Sequence, residues 1–527
     1  MNRNPPHQAQ GPLSSGRAWA MMLAVLLSGV SAHALAQTDP AGPQAEASDR
    51  IAQLEAQVAQ LAAQIQDLKS STTKGLRDVR TAQDETKVTL INARPTLTTA
   101  DGQFSASLRG VVHFDAANIA QDPAGPLAND FRRGSFADAT EAGRARDLNS
   151  GTNFRRARIG VEGKAFKDFD YSLIYEFGGS GSEDGGRVQD LWVQYSGIKP
   201  FRFRVGAFAP PTGLEDAGST NSSLFLERGS AAEIVRAIGG GDGRSAAAVY
   251  ANGDHWFASG AITGQTVGNL STTNPFDEQL AFVGRLAATP LHGYDWLVHI
   301  GVNSTVVLTP ADNGPDATSA RYGLRLRDRP ELRVDGTRLI DTGNIDADGL
   351  TTYGLELAAQ SKNLYIQGEY ETIRLDRRLS ALSNPEFSGW YVQGSWVLTG
   401  EARRYNAQTA GFDGPKIDKP FDPNKNQWGA WELGARYSTV DLNWHAGSAG
   451  LAGPSDSVRG GEQTIWTAGV NWYLNPVTRI MLQYQDVDVD RLSPGGTAFG
   501  AGALTPAAGR QIGQKFQATA LRTQIAF

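Results

Sequence analysis

The sequence predicts an all-β protein, a sixteen-stranded antiparallel transmembrane β-barrel, with an N-terminal periplasmic coiled-coil helix. Two observations carry this prediction. From residue 103 to residue 527, segments of about ten residues alternate apolar and polar side chains, as a strand with one face in lipid and one in water requires. The connections between these segments are alternately very short and very long, like those at the two rims of such a barrel.

The predicted number of strands is even, so the chain returns to the rim from which it started. The link over 400–427 is long on the short-turn rim. The stretch 321–339 alternates like a hairpin but must belong to a long loop, because another strand would make the count odd. The predicted strands are 103–116, 154–166, 169–178, 188–197, 201–210, 244–252, 255–266, 279–289, 294–306, 350–361, 363–377, 387–399, 428–442, 464–474, 478–490 and 514–527.

The two faces of these strands differ in kind. One face carries Phe, Tyr, Trp and Leu continuously, whereas the outward face of a large soluble sheet would be polar. In residues 154–166, Arg156, Arg158 and Lys164 lie opposite the apolar face. A closed sheet in lipid places such side chains in a water-filled lumen.

The N-terminus has the features of a signal peptide over residues 1–36. Arg3 and Arg17 precede an apolar stretch, and an A-x-A site predicts cleavage after Ala36. Together with the barrel pattern, this predicts export to the Gram-negative outer membrane. A linker is expected over 37–49.

A heptad pattern over residues 50–80 predicts the coiled coil, which we expect in the periplasm. β-branched residues at one seam position and Leu at the other favour two strands, and a lone amphipathic helix is the alternative interpretation. A second linker is predicted over 81–102, before the barrel begins at residue 103. The seam residues are Ile51, Leu54, Val58, Leu61, Ile65 and Leu68.

Several function classes are disfavoured by composition and motifs. The chain has no cysteine, and a net charge of −6 with a pI near 5.7 argues against a nucleic-acid partner. It lacks G-x-S-x-G, H-E-x-x-H and Walker motifs, and its histidines beyond the signal peptide are widely spaced. We therefore predict no enzyme, cofactor or metal site. A barrel-borne hydrolase and a structural tether are the alternatives from other classes.

The alternation assigns nine basic side chains to the lumen, where fixed cations would concentrate anions. Seven carboxylates also face inward by the same alternation, so a balanced lumen is the competing interpretation. The predicted inward basic residues are Arg109, Arg156, Arg158, Lys164, Arg202, Arg204, Arg285, Arg436 and Arg522. The predicted inward acidic residues are Glu162, Asp170, Glu176, Asp190, Glu369, Glu371 and Glu432.

Over most of residues 103–527 the sequence resembles the phosphate-selective porin O/P family of trimeric anion channels. The resemblance is densest in "NFRRARIGVEGKAFKDFDYSLIYEF", "VQDLWVQYSGIKPFRFRVGAFAPPTGLED", "SLFLERG", "RPELRVDGTRLIDTG", "GWYVQGSWVLTGEARRYN" and "WGAWELGARYS". The terminal Phe527 resembles the assembly signal of such barrels. The resemblance implies a homotrimer in outer-membrane lipid that passes small inorganic or organic anions.

The resemblance also implies that a constriction loop, about residues 211–243, folds into the barrel and narrows it. Arg228 in "FLERG" matches the family's loop arginine, and Arg236 lies in the same loop. Arg155 and Arg156 match its paired wall arginines. Arg325, Arg327 and Arg329 resemble members of its basic run on the fifth loop.

The chain departs from the family pattern in two places. Asp216, next to Glu215, stands where phosphate-specific members carry a lysine, and a carboxylate there would repel a dianion. On the first strand the wall basic residues are replaced by Ser107 and Val111, with Arg109 offset. The prediction is therefore a passive porin for small, phosphate-like anions, with a non-selective general porin as the alternative.

Overall fold

The computed structural model describes residues 43–91, 93–121, 148–179, 186–267, 278–311, 324–378, 381–495 and 506–527. The predicted signal peptide, residues 1–36, lies outside them. The chain divides into two compact units, Met1–Ala82 and Gln83–Phe527.

Helix α1, Pro43–Glu85, covers and extends beyond the predicted coiled-coil segment, and it begins within the predicted linker 37–49. The six seam residues are all on the surface, with 56–70% of each residue exposed. Exposed Leu and Ile at every third and fourth position form a stripe that this single chain leaves uncovered within its described residues. No described helix combines the length and apolarity needed to span a membrane. The pairing of this helix with other helices stays a prediction.

The predicted linker over 81–102 requires correction, because most of it is regular structure. Strands β1, Thr86–Ile91, and β2, Arg94–Thr99, form a hairpin. Residues Thr96–Thr98 of β2 pair with Ser105–Ser107, the start of the first barrel strand. The last barrel strand reaches only as far as Val111 on this strand, so β2 covers an edge that would otherwise be unpaired.

Sixteen strands close into one antiparallel barrel, which confirms the predicted fold class. The barrel strands are β3 Ser105–Gln121, β4 Gly151–Ala165, β5 Phe169–Glu176, β6 Arg187–Tyr195, β7 Phe201–Phe208, β8 Arg244–Asn252, β9 Trp256–Thr266, β10 Leu280–His292, β11 Trp296–Thr309, β14 Ala347–Ser361, β15 Leu364–Arg377, β16 Glu386–Val397, β19 Ala430–Trp444, β20 Val458–Tyr473, β21 Thr478–Asp490 and β22 Lys515–Ala526.

Closure is made by β22 against β3, where Leu521 lies opposite Ala116. Burial alternates along the strands, with apolar side chains exposed on the outer face and polar side chains buried in the lumen. Leu355 and Leu357 are about 60% exposed on the outer face, whereas Arg436 in the lumen is 1% exposed. Such an outer surface is stable in lipid and not in water, since exposing apolar side chains to water costs free energy.

Residues 321–339 add no barrel strand, as predicted, within their described part from residue 324. They lie in the connection between β11 and β14, which we call loop L5 (residues 310–346). There β12, Arg327–Asp328, and β13, Ile340–Asp341, make a two-residue bridge.

The long connection on the short-turn rim folds into the lumen. Strands β17, Arg403–Asn406, and β18, Gly411–Pro415, form a hairpin, followed by a 3-10 turn at Pro423–Lys425. We call residues 403–415 the periplasmic hairpin. Wall residue Arg285 donates to the carbonyls of Thr409 and Ala410 at 2.7 and 2.8 Å, so the tip is fixed by a buried guanidinium.

We expect this hairpin to limit current from the periplasmic side. Replacing residues 404–414 with a short Gly-Ser turn should raise the single-channel conductance by about twofold, because it removes side chains that fill the lumen. Planar-bilayer recording measures the change, and Gln408→Ala, which keeps the hairpin, is the control. An unchanged conductance in the shortened protein would show that ions do not pass this hairpin.

Candidate functional site

The connection between β7 and β8, residues 209–243, folds into the barrel, and we call it loop L3. It contains helices α2, Leu214–Ala217, and α3, Ser230–Gly239. Leu224, Phe225 and Leu226 between the helices are at most 3% exposed. Burial of this apolar run against the wall holds the loop inside the lumen instead of above the rim.

Wall side chains also bind the backbone of this run. Arg479 donates to the Ser223 carbonyl at 2.8 Å and Asn471 donates to that of Leu224 at 3.0 Å. Arg522 donates to the Leu226 carbonyl at 2.6 Å, and Arg436 donates to that of Glu227 at 3.0 Å. The alternation correctly placed Arg436 and Arg522 inward, but the contacts give them a structural task. Each hydrogen bond from a charged donor is worth roughly 1.5–3 kcal/mol.

Two inward carboxylates cap the helices of loop L3. Glu369 on β15 accepts from the backbone N–H groups of Leu214 and Glu215 at 2.5 and 3.0 Å. Glu331 in loop L5 accepts from the N–H of Ser230 at 2.9 Å. The first N–H groups of a helix lack partners within the helix, so these contacts fix both helix starts.

A β-bulge brings two neighbouring arginines into the lumen. His113 lies opposite Arg156 and Phe114 opposite Phe154, so Arg155 has no opposite residue. Arg155 and Arg156 are 5% and 3% exposed, and both lie inside. Strict alternation along this strand would place Arg155 on the lipid face, whereas the bulge turns it inward and keeps Phe154 outside.

Glu227 of loop L3 is shared by four arginines. Its carboxylate accepts from Arg155 at 2.8 and 3.0 Å and from Arg522 at 3.1 Å. Arg333 and Arg156 lie 3.5 and 3.9 Å away. Burial favours the neutral acid, but the four guanidinium groups hold the pKa of Glu227 well below its usual range. This carboxylate therefore stays charged and joins the loop to the wall.

Arg333 was not among the residues predicted for the site. It lies in loop L5 within "RPELRVDG" and binds Glu233 of α3 at 2.6 Å. The resemblance covered this segment, but alternation gives no information on a loop residue, so its inward position could not be derived.

Arg228 lies between two carboxylates of its own loop. Its guanidinium is 3.3 Å from Asp216 and 3.4 Å from Glu233. Arg236 binds Asp216 at 2.5 Å and also pairs with Asp242. The negative charge of Asp216 is thus compensated by two arginines, which weakens the repulsion expected of it.

A small cavity of about 30 Å³ lies beside this network. Arg156, Arg228 and Arg403 contribute cations to its wall, and Ser219, Thr220 and Ser222 contribute hydroxyl groups. Glu215 also lines it, while its carboxylate accepts from the N–H of Gly229 at 2.9 Å. Burial raises the pKa of Glu215 although Arg436 opposes the shift. Cationic and hydroxyl donors around one cavity can replace the water molecules around an anion.

Arg156 is the least compensated cation of this cavity. Its Nε is buried and has no hydrogen-bond partner among the described residues. Its Nη1 lies 3.3 Å from Nδ1 of His113, and Glu227 is its only carboxylate within 4.0 Å in the described part of the chain. A buried guanidinium nitrogen without an acceptor is a binding point for an anion.

The other predicted site residues are spread along the lumen. Arg109 lies 3.4 Å from Glu162, and Arg158 binds Glu176 at 2.5 Å. Arg202 and Arg204 lie on β7 near the periplasmic rim. Loop L5 holds Arg325, which binds Asp341 at 2.7 Å, and the exposed Arg327. Arg158 also lies 3.4 Å from Asp242 of loop L3. The structure thus brings Arg155, Arg156, Arg158, Arg228 and Arg236 together around loop L3, and leaves the remaining five outside this cluster.

A closed sixteen-stranded barrel with an apolar outer face, a charged lumen and an infolded loop defines an outer-membrane porin. The chain belongs to the family of phosphate-selective porins O and P, whose model matches residues 130–495. Porins are channels rather than enzymes, and the family and the barrel fold indicate the outer membrane.

Individual relatives are more distant. Porin O of Pseudomonas aeruginosa is 28% identical over 354 residues, which cover 64% of this chain and 77% of that protein. An uncharacterized protein of Caulobacter vibrioides is 26% identical over 358 residues, covering 66% of this chain and 65% of that protein.

Among solved structures, the chain is similar to an anion-selective porin from Comamonas acidovorans. The sequence identity is 14% and the TM-score is 0.45, with 80% of this chain and 100% of that chain covered. The outer membrane channel DcaP of Acinetobacter baumannii gives 11% identity and a TM-score of 0.41, covering 80% and 97%. The strand pairings, not these similarities, establish the fold described above.

A pH dependence follows from Asp328 in loop L5. Burial raises the pKa of its carboxyl from 3.8 to about 7, against the opposing effect of Arg333. The group is therefore largely charged at pH 8 and largely neutral at pH 6. Protonation leaves Arg333 less compensated, so the anion-to-cation permeability ratio should rise by about twofold between pH 8 and pH 6.

Reversal potentials in a salt gradient at the two pH values measure this change. Asp328→Asn should show the wild-type pH 6 permeability ratio at both pH values, and should therefore lose most of the pH dependence. Because its pKa is raised, Asp328 binds a proton more tightly in the folded protein than in the unfolded chain. Its protonation therefore stabilises the folded state as the pH falls from 8 to 6. A variant with the full wild-type pH response would remove Asp328 as the cause.

Proposed function

We propose that the cluster around loop L3 is the constriction at which this porin selects small, phosphate-like anions. Arg156 is the observation that carries the proposal. Its buried Nε faces no acceptor among the residues that the structure describes, and the residue lines the cavity beside the loop. A permeating anion supplies the missing acceptor, whereas a cation approaching the same point is repelled.

The charge balance of the cluster supports anion preference. Arg522 has Asp115 as a second carboxylate at 2.6 Å, and Arg333 has Glu233. Arg155 and Arg156 have only Glu227 within 4.0 Å among the described residues. Arg155 and Arg156 therefore share a single carboxylate, so the charge around Glu227 has a positive excess.

The hydroxyl groups of the cavity favour an oxyanion over a halide. Ser219, Thr220 and Ser222 can donate to several oxygen atoms of one ion, and a tetrahedral oxyanion accepts from several directions. Glu215 on the same wall opposes a dianion when it is charged, so the monoanionic form of phosphate suits this cavity better.

The first test compares Arg156→Gln with Arg228→Gln. The wild-type protein should prefer anions in a potassium chloride gradient, and Arg156→Gln should lower the anion-to-cation permeability ratio by about tenfold. Two charges 4 Å apart interact by about 1 to 4 kcal/mol between bulk water and a partly desolvated site, and tenfold corresponds to about 1.4 kcal/mol. Arg228→Gln should have a smaller effect, since two carboxylates already compensate this cation.

Both variants are compared after heat treatment in detergent, so that only folded protein is recorded. Arg374→Gln, an exposed cation paired with Glu386 on the neighbouring strand, is the matched control. A wild-type channel without ion preference would make the protein a non-selective general porin. Selectivity unchanged in Arg156→Gln would remove this residue from the pathway.

We infer further that the protein is a homotrimer in the outer membrane and that α1 joins the three chains on the periplasmic side. The family resemblance supports the trimer. The uncovered apolar stripe of α1 supports the joining role, because six regularly spaced apolar side chains gain stability when other helices cover them.

The seam can be tested without removing the β1–β2 hairpin. Leu54→Lys together with Leu61→Lys should lower the temperature at which the trimer separates in detergent, because both charges would lie in the apolar seam. Gln53→Lys with Gln60→Lys adds the same charge away from the seam and should leave that temperature unchanged. If both pairs behave alike on native gels and in mass measurements, the helix does not join the chains.

A further inference from the structure

Two arginines near the periplasmic rim have no carboxylate partner. Arg202 and Arg204 are two residues apart on β7, and both point into the lumen. No carboxylate of the described residues lies within 4.0 Å of either guanidinium group. Asp170, on a neighbouring part of the wall, binds Lys164 at 2.5 Å and accepts from Ser196 at 2.7 Å. Two adjacent cations without a carboxylate in contact are costly unless an anion joins them.

Aromatic rings hold both guanidinium groups in place. The Cζ atom of Arg204 lies 4.0 Å from the ring centre of Trp192, and 5.1 and 5.3 Å from those of Tyr250 and Phe208. The Cζ atom of Arg202 lies 5.5 Å from the ring centre of Tyr250. Cation–π contacts of this kind orient a guanidinium group without neutralising its charge.

Several donors of this group remain without an acceptor. The Nε of Arg202 and the hydroxyl of Tyr250 are buried and have no hydrogen-bond partner in the described part of the chain. Arg204 uses Nε and Nη2 on the side-chain oxygen of Gln194, at 3.1 and 2.8 Å. Both arginines are only partly buried, so an ion in the lumen can reach them.

The periplasmic hairpin closes one side of this group. The carbonyl of Gln408 at its tip accepts from Nη2 of Arg202 at 2.8 Å, and Asn252 accepts from the same atom at 3.1 Å. Arg202 and Arg204 belong to the first half of β7, whereas loop L3 leaves the other end of the strand after Phe208. The group is thus separate from the cluster around Glu227, with which it shares no residue.

We propose that Arg202, Arg204, Tyr250 and Trp192 form a second anion site, which binds planar aromatic carboxylates on the periplasmic side of the constriction. This rests on the proposed function, since the ligand is an anion that the porin admits. A carboxylate matches two guanidinium groups and a phenol hydroxyl as donors. A planar ring gains from the flat guanidinium and indole faces, from which hydrated phosphate gains little.

The test uses the full-length porin in planar bilayers, with benzoate, acetate and inorganic phosphate as blockers of the chloride current. Benzoate should block at a concentration at least about tenfold lower than acetate. In Arg202→Gln/Arg204→Gln, the half-blocking concentration of benzoate should rise by about tenfold or more, with phosphate block little changed. Trp192→Leu should weaken block by benzoate and leave block by acetate unchanged.

Arg374→Gln, which removes an exposed cation outside this group, should leave benzoate block unchanged. Equal block by benzoate and acetate in the wild type, or unchanged benzoate block in the double variant, would overturn the proposal. An equal loss of benzoate and phosphate block would do so too, since it would mean that the arginines act only through long-range charge.

The experiments distinguish a failure of the second site from a failure of the constriction proposal. If Arg156→Gln keeps wild-type selectivity while the double variant loses benzoate block, the second site stands and the assignment of the constriction fails. Should Arg156→Gln lose selectivity while the double variant binds benzoate normally, the constriction stands and the second site is refuted.

Discussion

The arrangement of the lumen depends on the ion pairs that the carboxylate of Glu227 makes with the wall arginines. Loop L3 can narrow the barrel only if its polar backbone finds partners inside, and the wall provides these with arginines. Arginines so close together repel one another unless a negative charge lies among them. Glu227, adjacent to the buried run at 224–226, supplies that charge and binds Arg155 from β4 and Arg522 from β22. The loop is therefore fixed to both sides of the barrel closure by one residue.

The lumen arginines consequently divide by task. Arg436, Arg479 and Arg522 donate to loop carbonyls, and Arg285 donates to carbonyls of the periplasmic hairpin. Such contacts occupy most of the donors that a permeating ion would need, although the Nε atoms of Arg436 and Arg479 have no partner among the described residues. We assign binding to Arg156, Arg202 and Arg204. Arg156 has one carboxylate within 4.0 Å among the described residues, and Arg202 and Arg204 have none. Counting cations in the lumen thus overestimates the number that an ion can meet.

Much of the architecture follows from the sequence because a closed sheet in lipid allows few alternatives. Alternation placed the strands within a few residues and assigned Arg436 and Glu432 to the lumen correctly. Because the number of barrel strands had to be even, residues 324–339 were correctly assigned to a loop. Alternation alone could not place Arg155, which only the resemblance predicted, since a bulge changes the face of one residue without changing the composition of the strand. The hairpin at 86–99 was missed because its short, polar strands resemble a linker.

The contacts of the site could not be predicted from alternation, because they join residues that are far apart in the sequence. Arg522 and Asp115, which are 407 residues apart, become neighbours only when the barrel closes. Asp216 shows the consequence most directly. Read alone, it is a carboxylate where the family carries a lysine, and it predicts repulsion of anions. In the folded lumen Arg228 and Arg236 compensate it, so the charge that an ion meets depends on which pairs form.

This distinction explains how a chain with a net charge of −6 can still present a cationic passage. Pairing removes most charges of both signs from the lumen, and selectivity then depends on the few that pairing leaves over. Around Glu227 the excess is one arginine, because Arg155 and Arg156 share this carboxylate and have no other within 4.0 Å among the described residues. At the periplasmic end it is two, held by rings that leave the charge in place. Aromatic contacts can fix a cation without cancelling it, which a salt bridge cannot do, and this makes the second position suited to a different anion from the first.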